Sequence, residues 1–452
     1  MARTMDFTKG SISKQMFEFA TPLFLSNMLQ AVYNIVDMAI IGNVIGKVGL
    51  SAIAIGGDIA HFLTFLAMGF SSAGQIIVAQ HVGAGHREKL GRIIGNLFSF
   101  LLGISLILTL VCYFLCPYFL SLMNTPKEAW DMTLDYVIIS IFGIFFIYGY
   151  NVVSAVLRGI GDSKDPFIFV ATAAIVNVIL DVLFIVFFKW SVFGAGLATV
   201  ISQGISFIWG IIFLFKKQKE LNIELKAEHL LFDKEIIGLL LKLGIPMAIK
   251  SASIHLSKLF VNSSVNYYGI IASGASGIEA KLNTLANLIA NAVNVSSSTM
   301  VGQNIGAEKY DRVPKIILTA FSITFIADLI LITLIISFPK FIFGIFTSDT
   351  EVIGACFQML PLFVALFLAS ALRSPSNGLI DGTGNFKLNF AVAILDGIIN
   401  RIGFAILFGK VLNWGWLGYL WGDAVAGFTP FFIGLVYFFS NRWKTRKYII
   451  SK

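Results

Sequence analysis

Seven carboxylates stand inside long apolar runs of this sequence: Asp37, Asp58, Asp181, Glu279, Asp328, Asp396 and Asp423. An acid at the centre of a bilayer costs about 2.5–3.5 kcal/mol on insertion scales, so its retention points to function. Asp37 has the richest context. Gln30, Tyr33, Asn34 and Asp37 recur at i, i+3, i+4 and i+7, which places all four on one helix face as a polar stripe turned toward a bundle interior. Asn177 and Asp181 share a face at i, i+4, and so do Thr199 and Gln203. Two carboxylates, an amide and a hydroxyl supply the hard oxygen ligands that a small cation prefers. Two neighbouring carboxylates also resist ionising together, so one of them can hold a proton. The chemistry these residues permit is binding of Na+ or H+.

The elements that must position them are apolar helices. Of 452 residues, 57% are hydrophobic and 13% charged, whereas a soluble domain carries about 25% charged residues. Twelve apolar stretches, each long enough to cross about 30 Å of hydrocarbon, follow one another from residue 18 to residue 440. The pI of 9.2 has a topological origin and does not indicate nucleic acid. If the N-terminus is cytoplasmic, alternate loops place 24 of the 33 Lys and Arg residues inside, among them Arg3, Lys309 and a tail with Arg446, Lys447 and Lys452. Five, including Lys47, fall outside, and four, Lys250, Lys258, Lys281 and Arg401, lie within spans. That asymmetry is the positive-inside signature of both termini on the cytoplasmic side of a plasma membrane. The first span exceeds the h-region of a signal peptide and is expected to remain as helix 1. Cys112, Cys116 and Cys356 sit in apolar runs and read as small buried hydrophobes.

The chain is a tandem repeat. Val78 to Gly85 reads VAQHVGAG and Val301 to Glu308 reads VGQNIGAE, an offset of 223 that also carries Gly159, Gly161 and Asn177 onto Gly382, Gly384 and Asn400. An offset of 224 carries Pro22 onto Pro246. Both halves begin on the same side, so the repeats are parallel. The expected fold is an all-α integral membrane protein, with twelve transmembrane helices in two pseudo-symmetric six-helix lobes. Residues 1–215 form the N-lobe, 216–236 a charged cytoplasmic linker and 237–452 the C-lobe with a basic tail. No Walker A motif, HExxH, CxxC or GxSxG occurs, and the five histidines lack metal spacing, so neither ATP hydrolysis nor another enzyme activity nor a cofactor is expected.

The run PLFLSNMLQAVYNIVD from Pro22 to Asp37, the VAQHVGAG loop, LRGIGDSKDP from Leu157 to Pro166, VNVILD from Val176 to Asp181 and GAGLAT from Gly194 to Thr199 resemble the multidrug and toxic compound extrusion (MATE) family. The resemblance implies a secondary multidrug efflux transporter that antiports amphipathic or cationic organic compounds against Na+ or H+ by alternating access, working as a monomer among membrane lipids. It implies cation binding at Asp37, Asn177, Asp181 and Thr199, as in the prokaryotic branch with an N-lobe site. Tyr136 and Asn151 fall where that branch lines its cavity, with Gln30, Tyr33, Asn34 and Gln203 as further lining. Another branch places acids in helices 7 and 10; here helix 7 offers Lys250, His255 and Lys258, and helix 10 has no acid before Asp381. The repeat aligns Asp37 with Val261 and Asp181 with Phe404, so the half-sites are asymmetric. A flippase for a lipid-linked precursor, from the same superfamily, is the alternative.

Among the remaining charges, Glu279 and Lys281 are expected near the start of helix 8 in a structural role. Asp396 and Arg401, five apart, are read as a local ion pair or as partners of other helices. Lys250 either repels cationic cargo or pairs with an acid. Asp423, near the start of helix 12, is expected to tolerate replacement, and Asp328 has no polar companions.

Overall fold

The apolar runs fold into long helices because hydrocarbon leaves every backbone polar group to be satisfied within its own segment. The computed structural model describes residues 4–445, so Arg3, Arg446, Lys447 and Lys452 of the basic tally lie outside the described residues. The membrane helices are α1 (Ile12–Val44), α2 (Lys47–Gly83), α3 (Leu90–Leu122), α4 (Trp130–Ile160), α5 (Lys164–Phe187) and α6 (Ser191–Leu221). Then follow α7 (Lys234–Asn266), α8 (Ile270–Gly306), α9 (Val313–Ser337), α10 (Leu360–Gly382), α11 (Phe386–Val411) and α12 (Gly415–Phe439). Two short helices, Pro339–Gly344 and Thr350–Gln358, join α9 to α10. Eleven of the twelve are long and apolar enough to cross a membrane. The exception, α8, has 37 residues, and its hydropathy is diluted by five Ser and five Asn. Phe114, Phe187 and Val436 are each more than 70% exposed, a disposition that lipid tolerates and water does not.

The helices partition into two units. One comprises 4–6, 25–82 and 86–248; the other comprises 7–24, 83–85 and 249–445. Both divisions within a helix fall two residues beyond an internal proline, Pro22 in α1 and Pro246 in α7, where the ring removes a backbone hydrogen bond.

The repeat read from the sequence recurs as contacts inside each unit. A Cβ on Gly159 would meet the Gln75 carbonyl at 2.8 Å and Val78, and a Cβ on Gly382 would meet the Ser298 carbonyl at 2.6 Å and Val301, each residue displaced by 223. Gly161 and Gly384 then end α4 and α10 with φ of +101° and +64°, the left-handed turn that glycine adopts without strain. Both α5 and α11 finish in a π-helical turn. Beyond it Trp190 stacks on Phe184 and Trp414 on Phe408, with ring centroids 5.1 Å apart in both units. Residues 216–221 continue α6, and the rest of the expected linker docks on α3. There Asn96 Nδ2 donates to the His229 carbonyl at 3.3 Å, the Asp233 amide donates to Asn96 Oδ1 at 2.7 Å, and Ser99 donates to the Leu230 carbonyl. In the other unit Phe7 is fully buried: its amide donates to Gln303 Oε1 at 3.1 Å and its carbonyl accepts from Asn304 Nδ2 at 3.0 Å, so the second copy of the repeated loop motif anchors the segment before α1. All three cysteines are buried and unpaired.

The α4–α5 loop contains a titratable switch of stability. Asp162 is 3% exposed, accepts from the amides of Lys164 and Asp165 with one oxygen, and has no donor for the other among the described residues. Burial first, and then the neighbouring Asp165 carboxyl, push its pKa up from 3.8 to about 7. A carboxyl raised by folding contributes stability below its unfolded value and loses it as pH rises through the folded one. Thermal stability of the purified protein is therefore expected to fall between pH 5 and pH 8. Asp162→Asn, which keeps the cap acceptor, is expected to flatten that slope in thermal melts.

Candidate cation site and its cavity

The site is assembled from α1, α4, α5 and α6 of the first unit. Asp37 lies on the polar stripe of α1, and Asp181 ends the regular part of α5 immediately before the π turn Val182–Phe187. A π turn widens the helix and is a frequent mark of functional positions. Asp181 is fully buried. The Asp37 and Asp181 carboxyls are close enough to feel each other's charge, and neither Asp181 oxygen has a hydrogen-bond donor among the described residues. Two bare carboxylates repel, so this approach is attractive only with a proton or a cation between them. Asn177, one turn before Asp181, bridges the group. Its amide, oriented as its neighbours require, donates to both Asp37 oxygens at 3.2 and 3.3 Å and lies 3.4 Å from the Thr199 hydroxyl. Thr199 in turn donates to the Ala195 carbonyl at 3.1 Å. All four residues read as cation ligands therefore stand together, although no cluster of three His, Cys, Asp or Glu occurs among the described residues.

On one side the group borders a small cavity lined by Gln30, Tyr33, Asn177, Thr199 and Gln203 together with Tyr150, Ser202 and Ser206. On the other side it is closed by apolar packing. Ile41, Ile185 and Ala195 form a buried cluster, with Ile40, Ile45, Leu50 and Ile53 against it. Ile41 lies one turn beyond Asp37, Ile185 one turn beyond Asp181, and Ala195 one turn before Thr199, so each polar residue has an apolar neighbour on the same helix face.

Tyr136 is held where its charge environment includes both acids, because Gly56 and Gly196 leave room for its ring: a Cβ there would meet ring carbons at 2.6 and 3.4 Å. Asn34 is exposed on α1, and Asn151 donates to the Ile147 carbonyl of its own helix at 2.8 Å; neither lines the cavity. Tyr150 lines it instead, donating to the Pro166 carbonyl at 3.2 Å. Fourteen residues separate Tyr136 and Tyr150, close to four helical turns, so the two rings share one face of α4. That spacing signals Tyr150 without any structure. Thr199, Ser202, Gln203 and Ser206 likewise follow i, i+3, i+4, i+7, a full stripe of which only two members are evident from the pair spacing.

The second unit places its charges differently. Val261, the counterpart of Asp37, is a core residue at 2% exposure. Asn400, the counterpart of Asn177, donates to Thr429 at 2.9 Å. Asp58 is exposed on α2 of the first unit. Lys250 pairs with Asp381 at 2.9 Å and donates to Asn389 Oδ1 at 2.9 Å. Arg401 pairs with Asp396 at 2.8 Å, because the π turn Leu395–Asn400 between them brings residues five apart into line. Glu279 lies nine residues into α8 and is buried, not at the helix start, and accepts from Asn283 at 3.3 Å. The expected tolerance at Asp423 gives way: it is 8% exposed and is the second carboxylate on the buried Arg401 guanidinium. Removing one partner of a buried pair costs about 3 kcal/mol even at the low end. Asp423→Asn is accordingly expected to lower the melting temperature clearly, while Asp58→Asn leaves it unchanged.

Comparisons with known proteins agree with this architecture. The chain is 28% identical over 454 residues to the probable multidrug resistance protein YpnP of Bacillus subtilis (strain 168), covering all of both chains. It is 30% identical over 372 residues to the probable multidrug resistance protein YoeA of the same organism, covering 81% of this chain and 80% of that one. A multidrug resistance MATE family transporter of the MOP superfamily, solved in an outward-facing conformation, superposes with a TM-score of 0.88 at 19% identity over 97% of this chain and 99% of that chain. A MOP superfamily transporter from Pyrococcus furiosus Vc1 (DSM3638) gives the same TM-score at 20% identity and the same coverage. The MatE family model matches residues 22–183 and 246–406, one copy on each repeat, and on that evidence the chain belongs to the MATE family of multidrug efflux transporters.

Proposed function

We propose that this protein is a secondary exporter of amphipathic, cationic organic compounds, driven by inward movement of Na+ or H+ through the Asp37–Asn177–Asp181–Thr199 group. The observation that carries this reading is an acid pair, Asp181 buried and Asp37 half-buried, with apolar packing on one side and a polar cavity reached through Asn177 and Thr199 on the other. A cationic cargo in that cavity and a small cation between the carboxylates draw on the same negative charge, so each weakens the other. The ion's leverage is bounded by its differential affinity for the two conformations of the transport cycle. It binds tightly in the outward-facing state and weakly in the inward-facing one. An acid pair beside a cavity whose lining has no Lys or Arg fits a cation better than the pyrophosphate of a lipid-linked precursor, so the flippase reading stands behind. In the same reading the N-lobe is residues 1–215, the linker 216–236 and the C-lobe 237–452; the protein works as a monomer surrounded by lipid in the plasma membrane.

Reconstituted in liposomes, the protein is expected to move a fluorescent organic cation in response to an imposed sodium or proton gradient. Asp37→Asn and Asp181→Asn are expected to reduce this to the level of empty liposomes while the variants remain monodisperse. Wild-type rates in both variants would remove the coupling site from this group. If H+ is carried, affinity for the organic cation rises with pH as the shared proton leaves, and Asp37→Asn flattens the dependence. If Na+ is carried, sodium lowers that affinity at constant pH. Insensitivity to both would remove the antiport mechanism.

Both termini are proposed to be cytoplasmic. Single cysteines placed near Lys47 and near Lys309, in a background lacking the three native thiols, are expected to label from opposite sides of the membrane. Labelling from one side would overturn the orientation.

A further inference from the structure

Leu230, Leu231 and Phe232, in the segment that joins α6 to α7, are 51, 74 and 68% exposed. Charged residues bound this apolar run, Lys226 and Glu228 before it and Asp233, Lys234 and Glu235 after it. Facing water, three such side chains in a row would be a liability. The segment is nonetheless firmly docked. A Cβ on Gly91 would overlap the Glu224 carbonyl and one on Gly95 the His229 carbonyl, so the linker backbone packs directly on α3 at two glycines one turn apart. Asn96 and Ser99 donate to the His229 and Leu230 carbonyls, the Asp233 amide donates back to Asn96, and Arg92 pairs with Asp233. Gly91, Gly95 and Ser99 follow one another at i, i+4 and i+8, and at 3.6 residues per turn the same face of α3 continues through Leu106 and Leu110. Both leucines are exposed, and a Cβ on Gly103 between them and the linker would meet no atom within 4 Å among the described residues. The linker therefore lies on the face that α3 turns to lipid along the rest of its length. Ser99 stands nine residues beyond Leu90, about 13 Å along the helix axis, which carries the apolar run from the end of α3 to the edge of the hydrocarbon.

We propose that Leu230, Leu231 and Phe232 are an interfacial anchor, inserted among the phospholipid acyl chains of the leaflet that surrounds the start of α3. Continuity chooses this occupant: the run extends, on one helix face, the apolar surface that Leu106 and Leu110 already present to lipid. Charge does not favour a protein partner. Residues 216–242 contain six Lys against five Asp and Glu, a near balance that offers no pattern to an acidic or a basic surface, so the hold is apolar and not electrostatic. The apolar face of an interfacial segment sinks about 5–10 Å into the boundary between headgroups and acyl chains, while flanking charges stay in the headgroup layer. The connection between the two halves of the repeat, which its composition presents as a solvated linker, is then a joint held by the bilayer. This inference rests on α3 crossing the membrane and not on the coupling role of Asp37 and Asp181.

The test uses the purified protein with Cys112, Cys116 and Cys356 replaced, a nitroxide on one introduced cysteine, and liposomes of phosphatidylcholine. Collision of the nitroxide with oxygen, which concentrates in hydrocarbon, is compared with its collision with a water-soluble nickel chelate. Labels at Leu231→Cys and Phe232→Cys are expected to be reached by oxygen and to lose access to the chelate, matching a label at Leu106→Cys on the bare face of α3. A label at Glu228→Cys, four residues before Phe232, is expected to show the reverse. High salt, or replacement of half the lipid by phosphatidylglycerol, is expected to leave the pattern at 231 and 232 unchanged. Chelate access at 231 and 232 equal to that at 228 would place the run in water. Shielding from both probes would place it under protein, such as a second copy of the chain, and a requirement for phosphatidylglycerol would make the hold electrostatic. Any of these three results would overturn the proposal.

Discussion

Two carboxyl groups side by side in hydrocarbon are unfavourable for separate reasons, desolvation of each and repulsion between them, and much of the first unit is arranged around meeting both costs. Asn177 donates to one acid. The π turn after Asp181 sets the other at the point where α5 widens. Small residues do the rest: Gly56 and Gly196 admit the Tyr136 ring beside the acids, and Ala195 completes the apolar seal. What these contacts leave unmet is a positive charge, and the cation site proposed above rests on that deficit more than on any one ligand. A group fully compensated by the protein would bind no ion.

The two units show how one scaffold is specialised by moving charges while packing is preserved. The glycine contacts of α4 and α10, the left-handed turns after them and the aromatic stacks after α5 and α11 are shared at a nearly constant offset. These fix how neighbouring helices approach, so they resist divergence. The chemistry does not follow the offset. Where one unit has Asp37 the other has the core residue Val261, and its own ionisable groups are gathered at Lys258, Arg373, Arg401, Asp396 and Asp423. One unit sets two acids beside each other; the other sets two acids, Asp396 and Asp423, on one guanidinium, Arg401.

Much of this was legible in the sequence because membrane helices are local objects. Apolar length gives the spans, and i, i+3, i+4, i+7 spacing gives the polar faces on which Asp37 and Asn177 lie. The repeat could be read because its glycines serve backbone contacts that few other residues satisfy. What escaped was relational. Asp423 and Arg401 are 22 residues apart on different helices, and no spacing announces their pairing. Asp396 and Arg401 were off-register for an α-helix and come into line only through a π turn. Tyr150 was legible from its fourteen-residue spacing to Tyr136 but was passed over for its neighbour Asn151, which a one-residue shift turns away by about 100°. The helix that fails a hydropathy test, α8, fails because its Ser and Asn residues serve interior contacts: Asn287 receives Arg373, and Asn283 supports Glu279.

The apolar seal also constrains how coupling can work. Ile41, Ile185 and Ala195 are one turn from Asp37, Asp181 and Thr199 on the same helices, so the acids and their seal cannot move independently. Any rotation or shift of α1 or α5 that opens the sealed side must also change the spacing of the carboxylates, and spacing sets their affinity for a cation. Access and affinity are thus tied by covalent geometry. In the transport cycle proposed above, a conformation in which the seal parts is one in which the ligand set is altered, so the ion would be held differently on the two sides without any separate gate. In the antiport proposed above, a cationic cargo entering the cavity at Asn177 and Thr199 would meet the negative charge of Asp37 and Asp181 that the coupling ion uses. Exchange of one for the other then requires no relay through the protein: competition for a single negative charge, within a group whose geometry changes with access, is sufficient to link their movements.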